Sequence, residues 1–178
     1  MIKAEDQKWL SMVESQHYAD ASAREKLIEH VFLGDLLRCL WRRKVSDVAV
    51  LRPEVDSAGY DLALEHGGQI RHVQLKSSHR YAKRAAITAN IRLLERPAAC
   101  ILWIYFDPDT LLLGPFLWFG AAPGERIPGL GEKLATHTKH DAEGKKGYRP
   151  LHRVIPKSSF TQLDTMDAVV QRLFRLDA

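Results

Sequence analysis

The sequence predicts an α/β protein of the α+β type, with one mixed central sheet flanked by helices. A long segment, residues 20–43, carries apolar side chains at helical spacing. Residues 60–66 and 70–77 alternate between apolar and polar side chains around a Gly-Gly turn, and residues 99–106 form a continuous apolar run. A helix, a hairpin and a buried strand in this order are typical of a single sheet with helices packed against it.

The composition fits one domain over residues 1–178. Hydrophobic residues make up 46% of the chain, which is enough for a complete core. The formal net charge of +4 is compatible with a nucleic-acid partner but does not require one. Cys39 and Cys100 have no CxxC partner, so neither a zinc ribbon nor a disulfide framework is supported. The polar start of the chain is unlike a signal peptide and no apolar run reaches the ~20 residues of a membrane span, so we expect a cytoplasmic protein with no membrane partner.

Helical periodicity predicts the elements at the start of the chain. Residues 5–14 are predicted to form a short helix with apolar side chains on one side. A stronger helix begins at Asp20 or Ser22, either of which can cap it, and ends near Arg43 in a positively charged turn that suits the helix dipole. Its apolar residues at helical spacing are Leu27, Ile28, Val31, Phe32, Leu36, Leu37, Leu40 and Trp41.

Alternation and turn residues predict the remaining elements, and together they divide the domain into three parts. After a first strand at 46–51 and the hairpin, we expect a short helix at 88–95, the buried strand 99–106, a strand at 111–119 that is interrupted at Gly114-Pro115, and an edge strand at 151–156. The core then covers about residues 20–119, an irregular basic segment covers 121–149, and a C-terminal helix covers 161–176.

The polar face of the hairpin is the first candidate for a functional site. Side chains alternate along a strand, so Gln74 and Lys76 face one way and Leu75 faces the other. Asp61 on the preceding strand is predicted to face the same way as Gln74 and Lys76. The same pattern also fits an ordinary half-exposed hairpin whose polar face is solvated. Asp56 would take the place of Asp61 if the strand register slipped by an odd number of residues.

A second candidate comes from the long helix, where Glu29 falls among the apolar residues of the core-facing stripe. Burial of an unpaired carboxylate costs several kcal/mol. A metal ion or a lysine would offset that cost. The alternatives are that Glu29 lies at the edge of the stripe, or that an arginine pairs with it.

With these residues in place, the chain resembles the PD-(D/E)xK nuclease superfamily, which has a restriction-endonuclease-like α-β-β-β-α-β core. The resemblance covers about residues 20–106. It assigns the helix acid to Glu29, the second-strand acid to Asp61, and the (D/E)-x-K motif to Gln74 and Lys76. Gln74 departs from the usual acid, although branches with Q-x-K are known in the superfamily.

The resemblance implies a metal-dependent nuclease acting on nucleic acid, with DNA as the expected substrate. Asp61, Gln74, the carbonyl of Leu75 and waters would hold Mg²⁺ or Mn²⁺, with Glu29 ligating directly or through water. Lys76 would orient or deprotonate the attacking water. The rival interpretation is a degenerate member that binds nucleic acid or another protein without cleaving, because a glutamine oxygen is a weaker ligand than a carboxylate.

Basic and hydroxyl side chains around the motif are candidate phosphate contacts, although a solvated loop explains them equally well. Arg71 precedes the motif. The candidates that follow it are Ser77, Ser78, Arg80, Lys83 and Arg84, and those in the basic segment are Lys145, Lys146 and Arg149. With no separate recognition domain, sequence specificity would come from loops, a homodimer or a separate partner.

Overall fold

The computed structural model describes residues 21–55, 58–137 and 147–176. In these ranges the protein is mixed α/β, with a six-stranded mixed sheet, a three-stranded second sheet and two α-helices. None of the helices described is long and apolar enough to cross a membrane. The helix predicted at residues 5–14, the alternative acid Asp56 and the basic residues Lys145 and Lys146 lie outside the described residues.

The described residues form two α-helices and nine strands, besides two short 3₁₀ helices. In chain order they are α1 (Ala21–Arg42), β1 (Ala49–Leu51), β2 (Leu62–His66), β3 (Gln69–His79), β4 (Ala86–Asn90), β5 (Ala99–Phe106), β6 (Leu113–Gly120), β7 (Leu134–Thr136), β8 (Tyr148–Pro156), β9 (Thr161–Leu163) and α2 (Met166–Phe174). The long helix, the hairpin and the apolar central strand are therefore confirmed as elements. Every residue of β5 is buried, as its continuous apolar run predicts.

The large sheet has the order β1-β2-β3-β5-β6-β9. The first three strands run antiparallel, β5 is parallel to β3, and β6 and β9 are again antiparallel to their neighbours. Gly67 and Gly68 form the hairpin turn with φ angles of 57° and 75°, which glycine adopts at little steric cost. The register pairs Leu62 with Val73, so the apolar side chains of both strands face the same layer.

The expected arrangement of helices on the sheet needs a correction. Both α-helices pack on one face of the large sheet, where Phe32 and Leu36 of α1 and Val169 of α2 share one apolar cluster. The other face is covered by the second sheet, β4-β8-β7, through a separate cluster that includes Ile87 and Ile155. Gln74 and Lys76 project towards this second layer because they alternate with residues that pack against the helices.

The helix predicted at residues 88–95 is wrong. Residues Ala86–Asn90 form β4, and Ile91–Glu95 form a 3₁₀ helix in which the Asn90 side chain accepts a hydrogen bond from the Arg92 nitrogen. Ile87 and Ala89 are buried while Thr88 is only half-buried, so this segment has a period of two. Its pairing with β8 decides the outcome, because a five-residue segment has little conformational preference of its own.

Three further predictions about the second half of the chain need correction. The predicted edge strand 151–156 is the central strand of the second sheet, since β8 pairs with β4 on one side and with β7 on the other. Strand β7 lies inside the segment predicted to be irregular. The C-terminal helix begins at Met166 rather than at 161, because Thr161–Leu163 pair with β6 and the Thr165 side chain caps α2.

The predicted apolar stripe of α1 is wider than the surface that the helix buries. Ile28, Phe32, Leu36 and Leu40 are at most 2% exposed, whereas Leu27, Leu37 and Trp41 are 47%, 43% and 71% exposed. Glu29 is buried at 5% exposure on the edge of this core-facing surface. The third turn of α1 therefore presents a carboxylate at the margin of the core.

Candidate functional site

A cavity of about 790 Å³ lies beside β3, where β2 begins and β3 continues past it. Strand β2 pairs only with residues 69–73 of β3, so from residue 74 onwards this edge of β3, opposite β5, has no strand beside it among the described residues. The start of α1 and the second sheet form the other walls. The side chains predicted for the site all line this cavity, which we call the β3 cavity: Glu29, Asp61, Gln74 and Lys76.

Asp61 is fixed to the open edge of β3 by two hydrogen bonds to the backbone of that strand. Its nitrogen donates to the Val73 carbonyl at 2.9 Å, and its Oδ2 accepts from the Leu75 nitrogen at 2.6 Å. The N–H and C=O of a strand residue point to the same side, so the Leu75 carbonyl also faces the open edge. Gly59, with φ at 79°, lets the chain pass close to the 3₁₀ helix, since a Cβ there would lie 3.1 Å from the Leu93 nitrogen.

Gln74 has a buried oxygen with no hydrogen-bond partner. The side chain is 8% exposed, and no described residue donates a hydrogen bond to its Oε1. Buried amide oxygens are nearly always bonded, and a water or an ion bound in the cavity would supply the partner of this one. Oxygen donors are the ligands that Mg²⁺ and Mn²⁺ prefer. The environment of Gln74 therefore fits a metal ligand.

Glu29 is held by two cationic side chains. Its Oε1 accepts from Arg52 Nε at 2.7 Å, and its Oε2 accepts from Lys26 Nζ at 3.2 Å. Burial raises the pKa of Glu29, but the hydrogen bonds and charges of Arg52 and Lys26 outweigh burial and leave that pKa below its usual range. Glu29 is therefore ionised at neutral pH. Pairing with an arginine and a lysine, both among the possibilities left open by the sequence, offsets its burial.

Arg52 is a cavity residue that the sequence did not identify. It follows β1 directly and lies 23 residues from Glu29 along the chain. Its guanidinium lines the β3 cavity. Nothing in the sequence around Arg52 distinguishes it from other exposed arginines, since its role depends on a contact between two distant elements.

Lys76 projects into the β3 cavity beside Gln74. It is half-buried and, within the part of the chain that the structure describes, it makes no hydrogen bond or ion pair. On β5, parallel to β3, Ile101 pairs with Gln74 and Trp103 with Lys76, and both belong to the cluster beneath the second sheet. The predicted alternation of Gln74 and Lys76 against Leu75 is thus confirmed, but the face they share is a cavity wall rather than open surface.

The second sheet contributes the opposite wall with polar and cationic side chains. Arg84, Thr88, Asn90, Arg149 and His152 all line the β3 cavity. Arg149 Nη2 lies 2.9 Å from His152 Nε2. Because arginine is always a donor, His152 Nε2 accepts this bond and carries its proton on Nδ1. The sequence pointed to Arg84 and Arg149 but missed His152, because β8 was expected at the edge of the fold.

Two residues placed among the candidate phosphate contacts have structural roles instead. Ser78 is 7% exposed, and its Oγ accepts a hydrogen bond from the buried Trp103 Nε1 at 3.0 Å. Arg71 is fully buried over the Trp118 ring, and its burial lowers its pKa. It donates to the carbonyls of Ala121, Ala122 and Arg172. Ser77, in contrast, lines the β3 cavity as expected.

Arg80 and Lys83 lie away from the cavity walls. Arg80 pairs with Asp107 at 3.3 Å, and Lys83 is exposed on the connection to β4. The candidates that the structure brings into the β3 cavity are therefore Ser77, Arg84 and Arg149. Any contact by Arg80 or Lys83 would involve nucleic acid outside the cavity.

The donor set of the β3 cavity is made of oxygens. Four carboxylates line the cavity, those of Glu25, Glu29, Glu54 and Asp61, together with the Gln74 amide oxygen and the Leu75 carbonyl at the same edge of the sheet. Among residues 21–55, 58–137 and 147–176 there is no group of three or more His, Cys, Asp or Glu side chains placed to hold a metal ion. The Asp61 carboxylate and Gln74 oxygen fit a hard cation, whereas Glu29 is neutralised by Arg52 and Lys26.

Comparison with known proteins does not identify a family for this chain. No protein-family model matches this chain, and no curated protein matches its sequence. The resemblance to the nuclease superfamily therefore depends on the order of the elements and on the residues of the β3 cavity.

Proposed function

We propose that this protein is a metal-dependent nuclease of the PD-(D/E)xK type that hydrolyses phosphodiester bonds in nucleic acid, with DNA as the expected substrate. The observation that supports it most is the convergence in one cavity of Glu29, Asp61, Gln74 and Lys76 from three elements. The buried, unbonded oxygen of Gln74 supports a cation at that place.

The element order also supports a restriction-endonuclease-like core. Helix α1 is followed by three antiparallel strands and then by β5, which is parallel to β3. The departure is the connection between β3 and β5, where β4 and a 3₁₀ helix replace the expected helix. This connection supplies Thr88 and Asn90 to the cavity wall, so the departure adds polar groups to the site.

Each cavity residue has a role in this proposal. When bound, Mg²⁺ or Mn²⁺ would make a water more acidic and stabilise charge on the scissile phosphate. Asp61, Gln74 and the Leu75 carbonyl would hold the cation. Lys76 orients the attacking water through Nζ, which has no competing partner among the described residues. Arg84 and Arg149, on the opposite wall, bind the phosphate.

A plasmid-nicking assay tests the proposal. The wild-type protein is expected to nick DNA with Mg²⁺ or Mn²⁺ and to stop when EDTA is added. Asp61→Ala and Lys76→Ala are expected to abolish nicking, whereas Asp109→Ala and Lys133→Ala, which change the same residue types on exposed surface, retain it. Nicking that survives both cavity substitutions would come from a contaminant and would refute the assignment.

A second candidate function is binding of nucleic acid without cleavage. Two observations favour it: glutamine occupies the position of the usual acid, and Glu29 is already paired with Arg52 and Lys26. Both reduce the negative charge available to a cation. Salt-sensitive DNA binding with no nicking under either metal would support this function over the first.

A further inference from the structure

Arg52 binds Glu29 through one nitrogen and has two more donor groups to offer. Its Nε donates to Glu29 Oε1, while the two Nη groups have no partner within the described residues. The Arg52 side chain is 44% exposed and lines the β3 cavity. A guanidinium in this position matches the geometry of a phosphate group, which arginine binds through two parallel hydrogen bonds.

We infer that Arg52 is a phosphate-binding residue, and that a nucleic-acid phosphate draws it away from Glu29 and frees that carboxylate for the metal. This inference rests on the proposed nuclease function. Its consequence is positive coupling: nucleic acid and metal each bind more tightly when the other is present, by the same factor.

Charge explains the direction of the coupling. Without nucleic acid, Arg52 and Lys26 neutralise Glu29, and Lys76 adds a further positive charge to the cavity. A cation that enters must compete with these groups for the carboxylate. A phosphate bound to Arg52 brings negative charge into the cavity and removes one of the competitors, so the cation then meets a more negative site.

Arg52, rather than Lys26, is the exchangeable partner. Lys26 lies three residues before Glu29 on α1, and its side chain is 68% exposed, so that pair is weak whichever ligand is bound. Arg52 lies outside regular structure, immediately after the three-residue strand β1. It can therefore change partners without disturbing a helix or a strand.

Mn²⁺ binding followed by electron paramagnetic resonance tests the inference, with the free ion as the signal and constant ionic strength. The dissociation constant is measured without and with a saturating single-stranded or duplex oligonucleotide, after subtraction of Mn²⁺ bound by the oligonucleotide alone. For the wild-type protein we expect it to fall about fivefold or more when the oligonucleotide is present.

Two variants locate the coupling. Arg52→Gln is expected to bind Mn²⁺ more tightly than wild type without nucleic acid and to lose most of the oligonucleotide effect. Arg38→Gln removes a surface arginine that pairs with Asp35 on the same helix, and it is expected to behave as wild type. The wild-type measurement stands by itself if Arg52→Gln does not fold.

The outcomes separate this inference from the nuclease proposal. An Mn²⁺ dissociation constant that is unchanged or raised by the oligonucleotide overturns the exchange, since Arg52 would then hold phosphate and Glu29 together, and it leaves the nuclease proposal standing. Coupling that persists in Arg52→Gln also overturns the role of Arg52. A protein that binds no Mn²⁺ under either condition refutes the metal-dependent nuclease itself.

Discussion

Replacing Gln74 with methionine separates two expected effects of its buried oxygen on the free energy of unfolding. One is the cost of burying that oxygen without a partner, and the other is its contribution as a metal ligand. Methionine is close to glutamine in length and shape but has no strong hydrogen-bonding group. The Gln74 side chain is 8% exposed and its Oε1 has no partner among the described residues. The two contributions should therefore appear with opposite signs, one without metal and one with it.

Without metal, the substitution is expected to be neutral or stabilising. A buried polar atom left without a partner costs about 1–3 kcal/mol. The Gln74 amide nitrogen is not among the fully buried unpartnered atoms and makes no hydrogen bond to the described residues, so the loss of its hydration offsets part of this gain. We expect a net change of about 0 to 2 kcal/mol in favour of Gln74→Met, and each 1 kcal/mol raises Tm by about 2–4 °C in a chain of this size.

With metal, the difference in stability is expected to shift in favour of the wild-type protein. A cation at 100 times its dissociation constant stabilises the wild-type protein by about 2.7 kcal/mol, which corresponds to a rise of about 5–10 °C in Tm. Loss of one ligand weakens binding, and each tenfold loss removes about 1.4 kcal/mol of this stabilisation. The metal-induced rise in Tm is therefore expected to shrink by half or more in Gln74→Met.

Thermal melts in EDTA and in Mn²⁺, monitored by circular dichroism, measure both quantities. Gln69→Met is the matched control, because Gln69 is exposed at the start of the same strand. If Gln74→Met lost more than about 1 kcal/mol in EDTA, the Gln74 oxygen would have a partner and the reasoning would fail. An unchanged metal-induced shift would show that Gln74 is not a ligand.

Five other substitutions test single features of the structure. Ser78→Ala should cost about 1–3 kcal/mol by leaving a buried indole N–H without an acceptor, whereas its neighbour Ser77→Ala should weaken nucleic-acid binding and leave stability nearly unchanged. Arg71→Met should cost about 3 kcal/mol or more, because three carbonyls lose a charged donor. Arg149→Ala should reduce the slope of log affinity against log salt by about 0.9 for duplex DNA. Glu29→Gln should flatten the acid limb of the stability curve, because the pKa of Glu29 is lowered in the folded protein and its contribution is lost as the pH falls through that pKa.

Urea unfolding measures the stability of Ser78→Ala, Ser77→Ala and Arg71→Met. Fluorescence anisotropy with a labelled duplex measures DNA binding by Ser77→Ala and Arg149→Ala, and unfolding at a series of pH values tests Glu29→Gln. For the pH series, stability should rise from about pH 3 to about pH 6 in the wild type, since the unfolded chain binds more protons there. Arg38→Met serves as the surface control for Arg71→Met. Weaker DNA binding by folded Ser78→Ala or Arg71→Met would contradict their structural roles, and an unchanged salt slope in Arg149→Ala would remove it from the phosphate contacts.

Local patterns were enough to predict four of the residues that line the cavity, Glu29, Asp61, Gln74 and Lys76. The direction of a strand side chain depends only on odd or even position, so Gln74 and Lys76 could be assigned to one face without knowledge of the sheet. The position of Glu29 followed in the same way from helical periodicity. The hairpin register, fixed by Gly67 and Gly68, then brought Asp61 to the same place.

The second layer could not be predicted, because pairing between distant segments decides it. Residues 88–95 have no strong preference, and they form a strand and a 3₁₀ helix since β8, about sixty residues later, pairs with them. The same long-range contacts hide Arg71 beneath residues 121 and 122 and give His152 a place in the cavity. Arg52 belongs to this group, because its partner Glu29 lies on another element.

The second sheet changes what the polar face of β3 can do. On an open hairpin, Gln74 and Lys76 would be solvated, and their interactions with a phosphate or a cation would be screened by water. Covered by β4 and β8, the same side chains lie in a half-enclosed space where each charge acts more strongly. The enclosure also makes an unpaired carboxylate costly, which explains why Glu29 is held by Arg52 in the protein alone. If the protein is the proposed nuclease, we expect this site to bind the cation and the phosphate together more tightly than either one separately, since each supplies the charge that the other lacks.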